Sequence, residues 1–249
     1  MIDIINIGVN YIIEMVAAWQ YFRSFYSSKC SKQTECMFMV SAYVMMFCLF
    51  WLQIFWFNAV DFLIINCFLC FYLFSRRMSS SVFHALILTV AMVVTEVIIE
   101  LVCMRLLDGF LVFTQNSISY ATVSIGSRIF YYLVIRIIIA VFTPKEERLE
   151  AKSGFTVLLS VTPLMSVWLT LVIVVICMNG HIDFIMGGML LGSMALLLVM
   201  NFVVFWAYDS NQKFMRNYLM MQADLKEQQA ETEYYRRLAE QTENQKILI

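Results

Sequence analysis

Two prolines, two histidines and eight glycines are scattered through 249 residues, and only 14% of the chain is charged. So little Pro and Gly disfavours an architecture of many turns. A transmembrane β-barrel also needs apolar and polar residues to alternate, whereas the apolar runs here are continuous. A barrel is therefore excluded. Soluble globular domains carry about 25% charged residues, so this chain is too poor in charge for water to be its main solvent. The net charge of −1 offers no basic surplus for nucleic acid. No Walker A loop, HExxH or GxSxG is present. The start, MIDIINIGVN, has no basic leader region and no small-residue cleavage pattern, so it reads as a first span and not as a removable signal peptide.

Seven cysteines remain, and none has the setting its chemistry would need. Cys67 and Cys70 form a CxxC in the middle of an apolar run, where neither zinc nor thioredoxin chemistry is expected. Cys30 and Cys36 flank a loop on the expected cytoplasmic side and should stay reduced. No metal site is expected. His84 has no cysteine at a spacing that suggests a peptidase pair, so the 249 residues carry no expected catalytic residue.

What the chain does have is oil. It is 61% hydrophobic, with a mean hydropathy of +0.77. A spanning helix needs about 20 apolar residues. Seven segments qualify: Ile4–Phe22, Met37–Trp56, Phe57–Phe74, Val82–Cys103, Tyr120–Phe142, Phe155–Cys177 and Phe184–Tyr208. The second and third form one run, which as a single helix would reach about 57 Å, almost twice the hydrocarbon thickness. It must fold back, and WFNAVD, Trp56 to Asp61, is the expected turn. Lys and Arg alternate cleanly between loops. Arg23, Lys29 and Lys32 follow the first segment, Arg76 and Arg77 the third, Lys145, Arg148 and Lys152 the fifth, and Lys213 and Arg216 the last. The intervening loops have none. The positive-inside rule then places the N-terminus outside and the C-terminus in the cytoplasm. The expected fold is an all-α polytopic membrane helix bundle of seven spans over residues 1–208.

Ionisable residues inside spans are costly and so are candidates for function. Glu14, Glu96, Glu100, Arg128 and Arg136 are the clearest. Glu96 lies 14 residues from Val82, and Arg128 lies 14 from Phe142. Both sit about 21 Å from the inner boundary, which predicts an ion pair. Glu100 shares the face of Glu96 at i+4. Glu14 and Arg136, at about 12 and 9 Å, match more loosely. The plain alternative is that such pairs only tie the bundle together. Gly188 and Gly192 form a GxxxG that allows close helix contact, and Pro163 should kink the sixth span. Trp56, Asp61, Asp108 and His181 lie near the expected outer ends, where an external ligand would touch. His181 beside Asp183 also fits an ordinary solvated loop.

From Asp209 to Ile249 there is no Gly or Pro, and good helix formers dominate. Residues 209–249 read as a cytoplasmic helix continuing the last span. Phe214, Tyr218, Met221 and Leu225 follow 4-3-4 spacing, and the seam resumes out of phase at Tyr235 and Leu238. This predicts a weak, dimeric coiled coil that transmits signals, with a solvated or self-packed helix as the alternative.

The segment EYYRRLAEQTENQKILI resembles the region just before the phosphoacceptor histidine of the AgrC-like sensor histidine kinases, of the GHKL type. IINIGVNYIIEMVAAWQYF is similar to that family's first span, which often carries a glutamate where Glu14 stands. The resemblance implies the membrane input module of a two-component quorum-sensing receptor in a bacterial plasma membrane. It also implies a homodimer through the C-terminal helix and an extracellular peptide ligand; on physical grounds the candidates for transmission are Pro163, Tyr218, Tyr235 and Leu238. The His box and ATP-binding domain are not in these residues, so ATP, Mg and a response regulator are expected only with a kinase part that would follow. Two other readings stay open: a small transporter or permease subunit using Glu96, Glu100 and Arg128, and a membrane scaffold recruiting a partner through its last helix.

Overall fold

The computed structural model describes residues 2–50, 55–74, 77–106, 118–142, 154–179 and 184–247. Asp108 and His181 lie outside the described residues, and the side chain of Trp56 is likewise not described. Among the described residues all regular structure is helical. Seven helices follow in order: α1 (Ile2–Phe25), α2 (Lys32–Phe50), α3 (Phe55–Leu69), α4 (Met78–Leu106), α5 (Ile118–Phe142), α6 (Gly154–Asn179) and α7 (Phe184–Ile247). Five are long and apolar enough to cross a membrane: α2, α4, α5, α6 and α7. A shorter apolar stretch, Asn58–Phe74, lies in and just beyond α3. These helices mark a membrane protein. The chain divides into two units, Met1–Tyr208 and Asp209–Ile249.

The expected turn at Trp56–Asp61 is not there. These residues form the first turns of α3. Asn58 does not break the helix because its amide is used sideways: the Tyr11 hydroxyl on α1 donates to Asn58 Oδ1 at 2.9 Å. Asp61 stands half-buried in the second turn of α3. At its far end α3 widens into a π-helical turn, Cys70–Phe74. Such a turn leaves carbonyls without helical partners. Lys29 takes two of them: its backbone N–H donates to Leu73 O at 2.8 Å and its Nζ to Phe71 O at 2.7 Å.

Within the first unit α4 packs against α3, α5 and α6, while α1 packs against α2 and α5. Helix α4 can be central because it is apolar all round, and a helix apolar on every side is a buried one. Its two buried threonine hydroxyls are spent internally: Thr89 donates to Ala85 O at 2.8 Å and Thr95 to Ala91 O at 2.6 Å. No water is present in hydrocarbon to do this instead. Between α6 and α7, Asn201 Nδ2 donates to Ser166 Oγ at 2.8 Å.

The end of the bundle holding Phe25, His84 and Phe205 is aromatic. His84 is fully buried, and the hydroxyl of Tyr21 lies 2.7 Å from its Nδ1. The rings of Phe25, Tyr26, Phe83, Phe205 and Tyr208 surround it at 5.1 to 5.8 Å. Ser80 hydrogen-bonds to Tyr208 at 2.9 Å and to Tyr26 at 2.5 Å. Three helices, α1, α4 and α7, thus share one stacked cluster. The outer faces are apolar by contrast. Leu158, Trp168, Leu196 and Trp206 are all around 60% exposed, as side chains facing lipid would be.

Phe205 is 1% exposed and touches Phe25, Phe83, His84 and Phe142. Phe205→Ala should therefore cost about 3–5 kcal/mol. Thermal unfolding of the detergent-solubilised chain measures it, with Trp206→Ala on the exposed side of the same helix turn as the neutral control.

Candidate functional site: a buried charge cluster

Buried charge collects where α1, α4 and α5 meet. Arg128 on α5 is only 7% exposed. Its Nε lies 2.6 Å from Glu14 Oε1 on α1. Its two terminal nitrogens donate to the two carboxylate oxygens of Glu96 on α4, at 3.1 and 3.3 Å. A guanidinium presents its donors as a rigid planar fork. One edge here holds Glu96 in the bidentate geometry that makes such pairs strong and directional, and Nε faces Glu14. Three helices are thereby tied at one level.

The structure brings Arg128 to Glu96, as matched depth predicts, and adds Glu14. It does not pair Glu14 with Arg136. Arg136 Nη1 instead donates to Gln20 Oε1 at 3.3 Å, an acceptor that the Tyr132 hydroxyl also reaches at 3.1 Å. The reason lies in helix length. Helix α1 runs to Phe25, past the Phe22 boundary from which depth was counted. Three residues raise Glu14 by about 4.5 Å, nearer the level of Arg128.

Neutral polar residues extend the cluster. Asn10 Nδ2 donates to Ser124 Oγ at 2.6 Å, joining α1 to α5 one turn from the Glu14–Arg128 contact. Ser124, Arg128, Tyr132 and Arg136 recur at i+4 on α5, and every one of them meets a polar residue of α1. Asn6, Asn10 and Glu14 recur at i+4 on α1, all buried. Sequence reasoning passed over Asn6, Asn10, Gln20, Ser124 and Tyr132 because uncharged polar residues barely lower the apolarity of a span. For all but Gln20, a four-residue repeat running through Glu14 or Arg128 was the available signal. It also passed over Glu35, which is fully buried, accepts from the Trp19 indole N–H and lies 3.6 Å from Arg23.

The other expected residues are more dispersed. Glu100 is half-buried one turn beyond Glu96 and makes no hydrogen bond or ion pair among the described residues. Asp61 is half-buried on α3. Pro163 is buried inside α6, which continues through it. Gly192 lies in open space: a Cβ there would meet nothing within 4 Å, so it makes no close helix contact within this chain. Gly188 on the same helix is half-buried. Phe214, Tyr218, Met221, Leu225, Tyr235 and Leu238 are all exposed along α7.

The chain matches no protein-family model, no curated protein and no solved structure. Its chemistry must be read from the cluster itself. Donors and acceptors at fixed level on three helices suit a structural clamp or a recognition site for a charged group. They do not form a nucleophile with its base.

Removing one partner of a buried ion pair strands the other charge and costs about 3–5 kcal/mol. Arg128→Met should therefore destabilise strongly, leaving Glu14 and Glu96 stranded. The triple variant Glu14→Gln, Glu96→Gln, Arg128→Met should recover most of that loss. Unfolding midpoints compared in a mutant cycle measure the difference.

Proposed function

We propose that this chain is the membrane-embedded input module of a peptide-sensing histidine kinase of the AgrC-like kind. The observation that carries the proposal is α7. One helix, Phe184–Ile247, includes both a segment apolar enough to cross a membrane and a charged, fully exposed stretch. A helix built this way can pass a rotation or shift of a span to whatever its far end engages. Its final part, EYYRRLAEQTENQKI, is the part that resembles the kinase family's phosphoacceptor-proximal helix.

In this reading all seven apolar helices span, the N-terminus lies outside, and the positive loops and residues 209–249 face the cytoplasm. The C-terminal segments of two copies pair through Phe214, Tyr218, Met221, Leu225, Tyr235 and Leu238. Their exposure on the single chain supports this, since apolar side chains along a solvated helix gain by pairing. Phosphotransfer to a response regulator belongs to a kinase part beyond these residues. The polar seam of α1 and α5 favours a second reading, a small transporter, because buried polar residues mark solute pathways.

Two measurements test the proposal. A photo-crosslinkable residue at Leu238 should give a covalent dimer in membranes, and one at Asn201, buried between α6 and α7, should not. An immunoblot of the producing cells against residues 231–247 should show a band roughly 20 kDa heavier than the chain, a typical domain size. A band at 29.1 kDa alone would end the kinase reading and leave the transporter.

A further inference from the structure

The clamp at Arg128 has a second polar layer beside it, and that layer is unbalanced. The bonds Tyr26–Ser80 and Tyr21–His84 run α1 antiparallel to α4. Those from Asn10 to Ser124 and from Glu14 to Arg128 run α1 parallel to α5. One turn from the clamp toward the start of α1 is therefore the level of Asn10 on α1, Ser124 on α5 and Glu100 on α4. A further turn leads to Asn6.

This layer has acceptors to spare. Asn10 is 8% exposed, and its Nδ2 is spent on Ser124. Its Oδ1 is buried and accepts no hydrogen bond. Asn6 is 5% exposed, and its Oδ1 is likewise buried without a donor. Glu100 makes neither hydrogen bond nor ion pair among the described residues. Buried polar atoms are nearly always satisfied, and each exception asks for an explanation. Charge is unbalanced too. Arg128 is matched by Glu14 and Glu96 already, so Glu100 adds a third carboxyl group to one guanidinium. Every unused group is an acceptor, so the missing partner is a donor and a cation.

A bare metal ion fits poorly. No three His, Cys, Asp or Glu side chains among the described residues converge closely enough to hold one. An ammonium group fits better, because its three N–H donors can reach a carboxylate and amide oxygens that are spread over two turns.

We propose that Glu100, Asn10 and Asn6 form a binding site for a primary ammonium group, carried by a ligand that enters between α1, α4 and α5. The site goes beyond the kinase reading and does not depend on it, since an amine can be titrated against the chain whatever its far end engages.

The test uses the purified full chain in lipid nanodiscs, with butylammonium, tetramethylammonium and sodium chlorides at equal ionic strength. Tetramethylammonium has the charge but no N–H, so it separates hydrogen bonding from screening. Butylammonium should raise the unfolding midpoint in a saturable way, and the other two salts should not. Losing a charged hydrogen bond weakens binding by about ten-fold or more, so Glu100→Gln should shift the butylammonium response by that factor. Glu100 makes no hydrogen bond or ion pair with Arg128, so this variant removes none of the direct contacts of the clamp. Asn6→Leu, which removes one acceptor a turn further out, is the second variant and should also weaken the response. Equal effects of all three salts would overturn the proposal. So would a response to sodium alone, or a butylammonium response that neither variant changes.

Discussion

A single guanidinium, that of Arg128, holds the membrane unit in register. Lipid offers helices little reason to associate, because their outer faces are already in an apolar solvent. Contacts that lipid cannot imitate therefore decide which faces meet. Arg128 supplies two of them, to Glu14 and Glu96. With both formed, α1 and α4 can neither rotate nor slide by a turn against α5 without stranding a charge. The Asn10–Ser124 and Gln20–Tyr132 contacts then follow as consequences of that register.

The aromatic cluster around His84 is the complementary device. It is built from ring contacts and hydroxyls, and it sets how α7 meets α1 and α4. Phe83 stacks on Tyr208 at 4.2 Å, while hydroxyls of Tyr26, Ser80 and Tyr208 link the three helices. The charged clamp and this stacked cluster lie at different levels of the same three-way contact between α1, α4 and their neighbours. The exterior needs no such precision, which is why α6 and α7 can expose Leu, Val, Met and Trp freely.

The helices themselves were legible in the sequence because a span is a matter of length and apolarity, and each apolar run became a helix. Their ends were not. Asn58 and Asp61 look like a turn when read along the chain, yet Asn58 is satisfied by Tyr11 from another helix, and no local pattern reveals that. The Glu96–Arg128 contact was legible because opposite charges at similar depth on consecutive spans have few other partners, even though α4 begins four residues before the Val82 boundary used for the count. The place of Glu14 was not, because α1 extends past its apolar stretch. The most informative misses are Asn6, Asn10 and Ser124. Each costs little by itself in an apolar segment, and only the shared four-residue spacing on two distant helices makes them a seam.

The seam also joins parts of the chain that are made at different times. Asn10 and Ser124 are 114 residues apart, and Glu14 and Arg128 are equally distant. At ordinary synthesis rates of about 5–20 residues per second, α1 exists for on the order of ten seconds before α5 emerges. During that interval Glu14 has no cation to face, and α1 is not among the helices apolar enough to span by themselves. Helix α1 is thus made well before the α5 partners that secure it. Until α5 arrives, it depends on the membrane interface or on the insertion machinery to shelter its carboxylate.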